Sequence, residues 1–313
     1  MLFRSLRFYT NVSNIGNYIF YRGYEDGVEV KDKIEYKPTL FVPSKKKTKY
    51  KPLDNRYVAP IQPGSIRDTR DFIQKYKDID GFEYYGNANA VYQCISDLFP
   101  DEVVEFDITQ TRIYVLDIET TAEQGSIDAK AANEEILLIT IQDYKTNLTF
   151  TWGSRPFTEK LDDHIYFECE DEADLLAKFL EFWEANYPDI ITGWNCACFD
   201  IPYIVHRIAK NFGESETKRL SIWKRIDSRT YVEKGKEELE YNLCGISILD
   251  YQKLFQKFAF INVENYRLNT VAEEVLNQTK LDHEEYETFR DFYTQNFDLF
   301  VKYNVQDCNL IDR

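Results

Sequence analysis

Metal-binding patterns of histidine and cysteine are lacking in this sequence of 313 residues. Its six cysteines are scattered without a CxxC pair, and they form no zinc pattern with the three histidines. No apolar run approaches the roughly 18 residues that a membrane span requires. The N-terminal residues also lack the apolar core of a signal peptide. These absences predict a soluble protein that is not secreted and binds neither zinc nor a membrane.

Basic residues are fewer than acidic ones, and the formal net charge is −16. Residues 1–107 hold 16 basic and 16 acidic side chains, whereas residues 108–313 hold 22 and 38 and carry the whole excess. Within the first part, residues 31–77 hold 13 basic and 5 acidic side chains, centred on a lysine-rich run. Such a segment can neutralise phosphates in an otherwise acidic chain, although a solvated loop is the simpler interpretation of a lysine run.

Residues 1–107 have the pattern of a small β-rich domain. Apolar and polar residues alternate over residues 7–12, 17–24 and 33–42, between glycine and Asp-Gly turns, as in short strands. Residues 66–76 predict one amphipathic helix. We therefore expect an N-terminal domain of α+β class that ends at residue 107.

Residues 108–313 combine strands with interleaved helices, which predicts an α/β layered domain. A hairpin around Lys234 and Gly235 is expected over residues 231–243. The predicted strands are residues 111–118, 136–142, 148–152, 189–193 and 246–250. The predicted helices are residues 171–187, 201–212, 251–258, 268–276 and 284–311, the last with a break near Asn296.

Two carboxylates end the first strand of this second domain. Asp117 and Glu119 are two residues apart, and the two-residue period of a strand places both on one face. Carboxylates side by side repel each other, and they are costly to bury without a partner. A divalent cation removes both costs, so the pair predicts a metal site.

Two further carboxylates follow later in the chain. Asp200 comes after the predicted strand 189–193 and directly before an Ile-Pro helix start, where it could act as a helix cap, a metal ligand or both. Tyr303 and Asp307 are four residues apart on the last predicted helix and therefore share a face. Either pattern is common by itself, and the order of the segments along the chain is what indicates a shared site.

Four carboxylates without histidine suit phosphodiester hydrolysis. Hard oxygen ligands favour Mg²⁺ or Mn²⁺, and two such ions about 3.5–4 Å apart stabilise the attacking and the leaving oxygen. Asp117, Glu119, Asp200 and Asp307 are the predicted ligands of both ions. Tyrosine ionises near pH ~10, so Tyr303 is expected to orient the attacking water rather than take its proton.

These segments resemble the three exonuclease motifs of the DEDD nucleases, at residues 117–119 (DIE), 195–200 (NCACFD) and 303–307 (YNVQD). Tyrosine four residues before the last aspartate resembles the DEDDy branch. The DEDDh branch would carry histidine five residues before that aspartate, where this chain has Lys302. The resemblance implies a 3′–5′ exonuclease.

The wider sequence resembles the N-terminal and exonuclease portions of family B DNA polymerases of T-even-type phages. The likeness rests on residues 34–41, 193–195, 200–203, 212–215, 218–221 and 245–251. It implies a ribonuclease-H-like fold, with a mixed sheet flanked by helices, and proofreading of single-stranded DNA 3′ ends in the cytoplasm of an infected bacterium. It further implies that Asn195, Phe199 and Thr120 contact the substrate strand and that the hairpin helps to separate strands.

The sequence departs from this resemblance in three ways. Arg267-Leu268 stands where such polymerases usually carry a Ser/Thr-Leu pair, and Lys280 is a loose candidate for the lysine that supports their site. No polymerase palm or Asp-Thr-Asp signature follows Asp307. We therefore expect a fragment or one piece of a split polymerase, with the remaining polymerase domains as partners and with weak substrate affinity.

Other functions stay open. Residues 31–77 could bind RNA, as in a translational repressor, and a DEDD exonuclease could trim RNA rather than DNA ends. Residues 207–229 hold seven basic and three acidic side chains. That segment could follow a phosphate backbone or form a solvated helix end.

Overall fold

The computed structural model describes residues 6–100, 103–123, 127–233, 235–282 and 285–313. The chain divides into two units, Met1–Gln110 and Thr111–Arg313. Among the described residues, no helix is both long and apolar enough to cross a membrane.

The first unit is built from strand pairs and two helices. Its strands are β1 (Arg7–Ile15), β2 (Tyr18–Glu25), β3 (Val28–Glu35), β4 (Leu40–Pro43) and β5 (Val58–Ile61). Its helices are α1 (Ile66–Tyr76) and α2 (Ala90–Leu98). The first three strands form an antiparallel sheet, and β4 pairs with β5. Helix α1 begins at a capping box in which Ser65 and Asp68 bond each other's backbone N–H groups.

One strand prediction in this unit is wrong. Residues 33–42 do not form a single strand, because β3 ends at Glu35 and β4 begins at Leu40. The intervening segment contains Pro38, which has no backbone N–H to donate to a sheet. The β-rich α+β class predicted for this part is confirmed.

The second unit contains a six-stranded mixed sheet, a separate hairpin and six α-helices in the described residues. Its strands are β6 (Ile113–Thr120), β7 (Ile136–Asp143), β8 (Thr149–Gly153), β9 (His164–Glu168), β10 (Ile190–Gly193), β11 (Ile226–Glu233), β12 (Lys236–Leu243) and β13 (Ser247–Asp250). Its helices are α3 (Glu172–Ala185), α4 (Asp200–Phe212), α5 (Tyr251–Phe258), α6 (Leu268–Leu276), α7 (Phe289–Gln295) and α8 (Phe297–Asp312). The α/β class with a mixed sheet flanked by helices is confirmed.

Strand order in the large sheet is β13-β10-β6-β7-β8-β9, with β6 antiparallel to β7 and parallel to β10. Leu116 and Ile118 on β6 join the core formed with α3 and α4, whereas Val115 joins the core formed with α6 and α8. Because side chains alternate along a strand, Asp117 and Glu119 share the face of Val115 and meet α8. The carboxylates of β6 therefore lie on the face opposite the core formed with α3 and α4.

Four features of the second unit differ from the expectation. Strand β9 and a short 3-10 helix at Glu216–Leu220 were not predicted. Hairpin strand β11 begins at Ile226, five residues before the predicted start, and Lys234 at its turn lies outside the described residues. The final helix begins at Phe289 rather than at residue 284. Its predicted break lies at Asn296, which caps α8 by accepting the N–H of Leu299.

Candidate active site

Three carboxylates converge on the face of the sheet that α8 covers. Asp117 and Glu119 reach this place from alternate positions of β6, and Asp307 reaches it from α8. One oxygen of each carboxylate lies within 4.8 Å of the other two. The structure thus brings together three of the four predicted metal ligands, which we call the carboxylate cluster.

Asp200, the fourth predicted ligand, is turned toward the backbone of β6. It is the first residue of α4, is 3% exposed, and accepts the N–H of Ile118 through Oδ1 at 3.1 Å. Phe199 occupies the N-cap position of the helix, so the interpretation of Asp200 as a helix cap is wrong. The bond to Ile118 instead ties the start of α4 to the strand that carries the cluster.

Burial and mutual repulsion raise the pKa values of these carboxyl groups. Burial is the largest cause at Asp117, followed by the charges of Asp307, Asp200 and Glu119. Burial and Asp307 raise the pKa of Glu119 to about 8. Burial, with the charges of Asp250 and Asp307, raises the pKa of Asp200 to about 7. A bound cation would favour the ionised forms and release the protons that the cluster otherwise holds near neutral pH.

Lys280 and Tyr303 border the carboxylate cluster. Lys280 Nζ forms an ion pair with Asp307 Oδ2 and donates to Tyr303 Oη at 3.2 Å. Burial, Glu119 and Asp307 raise the pKa of Tyr303, so its hydroxyl stays protonated near neutral pH. A protonated phenol can orient water by hydrogen bonding but does not act as a general base. Lys280, the candidate supporting lysine, thus contacts both predicted residues of α8.

The donor set fits a hard divalent cation. Asp307 Oδ1 is buried and has no hydrogen-bond partner within the described part of the chain. A buried carboxylate oxygen without a partner is costly, and a cation supplies the missing contact. Three carboxylates are the kind of donor that Mg²⁺ and Mn²⁺ prefer. The carboxylate cluster can therefore hold a divalent ion.

Asp250 holds the loop that leads to Asp200. Its carboxylate accepts the N–H groups of Asn195 at 3.2 Å and Ala197 at 3.1 Å. It also caps α5 by accepting the N–H of Lys253 at 3.3 Å. Asn195 has a φ of +64°, in the left-handed region that asparagine tolerates better than most residues. The sequence signal for Asp250 was an aspartate between a strand and a helix, which is a common capping pattern.

The residues expected to contact substrate occupy different environments. Thr120 is 2% exposed, and its hydroxyl donates to the carbonyl of Thr121 at 3.0 Å. Phe199 is half-buried, with its ring 5.7 Å from the ring of Tyr203. Asn195 borders an open cavity of about 220 Å³ between the hairpin and α5. Contact with a substrate strand stays a prediction for all three.

Several basic side chains of residues 207–229 are paired with carboxylates. The pairs are Arg207–Glu172, Arg219–Glu184, Lys224–Glu184 and Arg229–Glu240. The first of them is almost completely buried. This pairing favours a structural role for the segment over phosphate tracking.

Asn304 was not predicted at the site, and Arg267 was noted only as a departure from the resemblance. Asn304 Nδ2 donates to Asp117 Oδ2 at 2.6 Å. It lies three residues before Asp307 and therefore on the same helix face, a spacing that the sequence contains. Arg267 stands at the N-cap of α6 without a side-chain cap bond. Its departure from serine or threonine thus affects a helix cap.

Similarity to known proteins identifies the family of this chain. The family model for the exonuclease domain of DNA polymerase family B matches residues 77–271. The DNA-directed DNA polymerase of Enterobacteria phage T4 is 31% identical over 97% of this chain, and that of Escherichia phage RB69 is 31% identical over 96%. A DNA polymerase of Autographa californica nuclear polyhedrosis virus is 30% identical over 62% of the chain.

The chain spans 36% of the length of the two phage polymerases and 20% of the insect-virus polymerase. The family match covers more than half of the chain, including Asp117, Glu119 and Asp200, and it ends before Tyr303 and Asp307. The phage relatives extend the likeness over nearly the whole sequence. The chain therefore belongs to the exonuclease-domain family of family B DNA polymerases, and it resembles the corresponding portion of T-even-type phage polymerases.

Proposed function

We propose that this chain is a 3′–5′ exonuclease that removes the terminal nucleotide from single-stranded DNA, as the proofreading part of a phage replicative polymerase. The observation that carries the proposal is the convergence of Asp307 with Asp117 and Glu119 in a chain of this family. Together with Asp200 they would hold two Mg²⁺ ions, which Mn²⁺ could replace. Bound ions supply stabilisation of the charge on the attacking and leaving oxygens.

The chain's own residues position the reactants. Tyr303 keeps its proton and can therefore orient a water molecule beside the carboxylate cluster. Lys280 holds Asp307 and Tyr303 in fixed positions through its two contacts. Asp250 fixes the loop on which Asn195 and Phe199 would meet the single strand. The hairpin of β11 and β12 would separate the primer end from its template.

The proposal also covers the domain organisation, the partner domains and the location of the protein. Residues 1–107 would form the N-terminal domain and residues 108–313 the exonuclease domain. The remaining polymerase domains would act in the same chain or as a separate one, in the cytoplasm of the infected bacterium.

The proposal is tested with a 5′-labelled single-stranded oligonucleotide, with Mg²⁺ or Mn²⁺ and with EDTA. We expect stepwise shortening from the 3′ end that requires the metal. Replacement of Asp117 and Glu119 by alanine should reduce the rate at least about a thousandfold, since both ions lose ligands. Intact DNA with the wild-type protein in both metals would refute the proposal.

A matched control removes two carboxylates from the same unit. Glu273 and Glu274 are exposed on α6, and their double replacement by alanine should leave the exonuclease rate within about twofold of wild type. Circular dichroism of both double variants shows whether they are folded. An equal loss of activity in the two variants would contradict the assignment of the site.

The matches reported above are DNA polymerases and their exonuclease domain, and they do not favour the alternative of an RNA-binding or RNA-trimming protein. A comparison of DNA and RNA oligonucleotides of one sequence tests this preference directly. Faster shortening of RNA would support the alternative.

A further inference from the structure

A row of polar side chains crosses the sheet from the carboxylate cluster to β9. Asn304 Nδ2 donates to Asp117 Oδ2 at 2.6 Å, and the hydroxyl of Thr140 donates to Asn304 Oδ1. Thr140 Oγ1 lies 2.9 Å from Thr151 Oγ1, which lies 3.0 Å from His164 Nε2. Asn304, Thr140 and Thr151 are completely buried. Four elements, α8, β7, β8 and β9, contribute to this row.

The number of protons decides the direction of every bond in the row. A threonine hydroxyl carries one proton, and Thr140 uses it for Asn304 Oδ1. The bond between the two threonines must therefore be donated by Thr151, and Thr151 must in turn accept from His164 Nε2–H. At the other end, the carboxylate of Asp117 in its ionised, cation-binding form only accepts, which requires the amide nitrogen of Asn304 on its side. Donation then runs in one direction, from His164 through the threonines and Asn304 to Asp117, without a mismatch.

We propose that Asn304 is the positioning residue of Asp117, and that a one-way chain of hydrogen bonds from His164 through Thr151 and Thr140 holds its amide in the required orientation. This inference rests on the proposed function, because it concerns how one ligand of that site is aimed. A flipped amide would set Asn304 Oδ1 against Asp117 Oδ2, where two acceptors repel. It would also leave Thr140 facing an N–H donor.

The chain of hydrogen bonds would fix one oxygen of Asp117 and leave the other for a cation. Partners of metal ligands commonly set ligand orientation, and their loss typically costs about 10–100-fold in metal affinity or activity. Asp117 needs such a partner because it lies among carboxylates that repel it. An amide donor satisfies one oxygen without adding charge to the cluster.

His164 can donate the first hydrogen bond of this row, from Nε2 to the hydroxyl of Thr151. Burial lowers the pKa of His164 to about 4, so the ring is neutral near pH 7. A neutral imidazole carries its proton on one nitrogen, and the chain requires that nitrogen to be Nε2. His206 provides an internal contrast, because its Nδ1 faces the carbonyl of Ala129 at 2.7 Å and must donate there. Within one protein, the two rings should therefore show opposite tautomers when neutral.

The first experiment measures Mn²⁺ affinity by calorimetry on the full chain without DNA. We expect Asn304→Leu to weaken binding about tenfold or more. Asn309→Leu is the matched control, since Gln142 Nε2 donates to Asn309 Oδ1 at 3.0 Å between the same strand and helix. The control should bind Mn²⁺ within about twofold of wild type. Equal binding by wild type and the Asn304 variant would overturn the proposal.

The second experiment compares threonine variants, which also covers the case that Asn304→Leu does not fold. Thr140→Val keeps the shape but removes the hydroxyl and should weaken Mn²⁺ binding about tenfold, whereas Thr140→Ser keeps the donor and should rescue it. Thr151→Val should likewise bind Mn²⁺ more weakly than Thr151→Ser, by a smaller factor than at Thr140. Equal Mn²⁺ affinities of the valine and serine variants at both positions would overturn the proposed chain of hydrogen bonds, because the hydroxyl groups would then have no effect on binding.

The third experiment reads the tautomers by ¹⁵N NMR of histidine-labelled protein near pH 7. We expect a protonated Nε2 and an unprotonated Nδ1 at His164, and a proton on Nδ1 of His206. A proton on Nδ1 of His164 would overturn the proposed direction of the chain. Failure of the proposed function looks different, because wild-type protein would then bind Mn²⁺ or show these tautomers without shortening DNA.

Discussion

Lys280 is the positively charged residue that contacts both Asp307 and Tyr303 at the site. Its ammonium group pairs with Asp307 and donates to Tyr303, and the neighbouring carboxylates raise its pKa against the effect of burial. Lys280→Met should therefore lower the exonuclease rate about 10–100-fold, because Asp307 and Tyr303 both lose a partner. Single-turnover kinetics with single-stranded DNA at saturating Mg²⁺ measures the effect.

A lysine on the same helix as Tyr303 serves as the control for that substitution. Lys302 pairs with Glu159, whose side chain is 48% exposed, so Lys302→Met removes one ion pair outside the carboxylate cluster. We expect a rate within about twofold of wild type for this variant. If both methionine variants lose activity equally, the loss does not come from the cluster.

At the scale of elements, Lys253 joins the hairpin of β11 and β12 to α5. Lys253 Nζ donates to Tyr231 Oη at 2.7 Å and to Glu240 Oε1 at 2.5 Å, which joins both hairpin strands to the helix. Burial alone would raise the pKa of Glu240, but bonds from Lys253, Tyr231 and Arg229 outweigh it and lower the pKa to about 2. The carboxylate is thus ionised whenever the protein is folded near neutral pH.

Lys253→Met should loosen the hairpin without unfolding the sheet. Hydrogen bonds to charged groups contribute about 1.5–3 kcal/mol, so opening of β11 and β12 should become about tenfold more frequent or more. Amide hydrogen exchange over Ile226–Glu233 and Lys236–Leu243 measures this opening. Lys257→Met on the same helix is the control, because Lys257 lies over the ring of Phe258 and should leave the exchange unchanged.

At the scale of the whole molecule, we expect the buried carboxyl groups of the site to make stability depend on pH and on metal. Glu119 and Asp200 have pKa values raised to about 8 and about 7, above the values of about 4 that carboxyl groups have in unfolded chains. The folded protein therefore holds protons that the unfolded chain has lost, and its free energy of unfolding falls as the pH rises from about 5 to about 8. Each kcal/mol lost lowers the Tm by about 2–4 °C in a domain of this size.

We expect the Tm of metal-free protein to be several degrees lower at pH 8 than at pH 5.5, as measured by calorimetry in EDTA. Mg²⁺ or Mn²⁺ should restore it at pH 8, since a ligand present at 100 times its Kd stabilises by about 2.7 kcal/mol. Combining Glu119→Gln with Asp200→Asn removes two of the raised groups and should flatten the pH dependence. A Tm that stays constant from pH 5.5 to pH 8 in wild type would contradict the expectation.

The sequence by itself determined the local geometry of the candidate site. The two-residue period of β6 put Asp117 and Glu119 on one face, and the helical period of α8 put Tyr303 and Asp307 on another. These relations need only the backbone geometry of one element, so they could be predicted before any packing was known. The same holds for many strand and helix positions, but not for β5, α2 and β9, the start of β11, or the division between β3 and β4.

Only the tertiary structure decided which of these faces meet and which further side chains contact the carboxylates. Lys280 lies in a segment without helix or strand, and its contact with Asp307 depends on how that segment packs against α8. The turn of Asp200 toward Ile118, and the contact of Asn304 with Asp117, also join elements far apart in the chain. Charge pairing and burial depend on neighbours from several elements at once, and the spacing of residues along one element does not specify them.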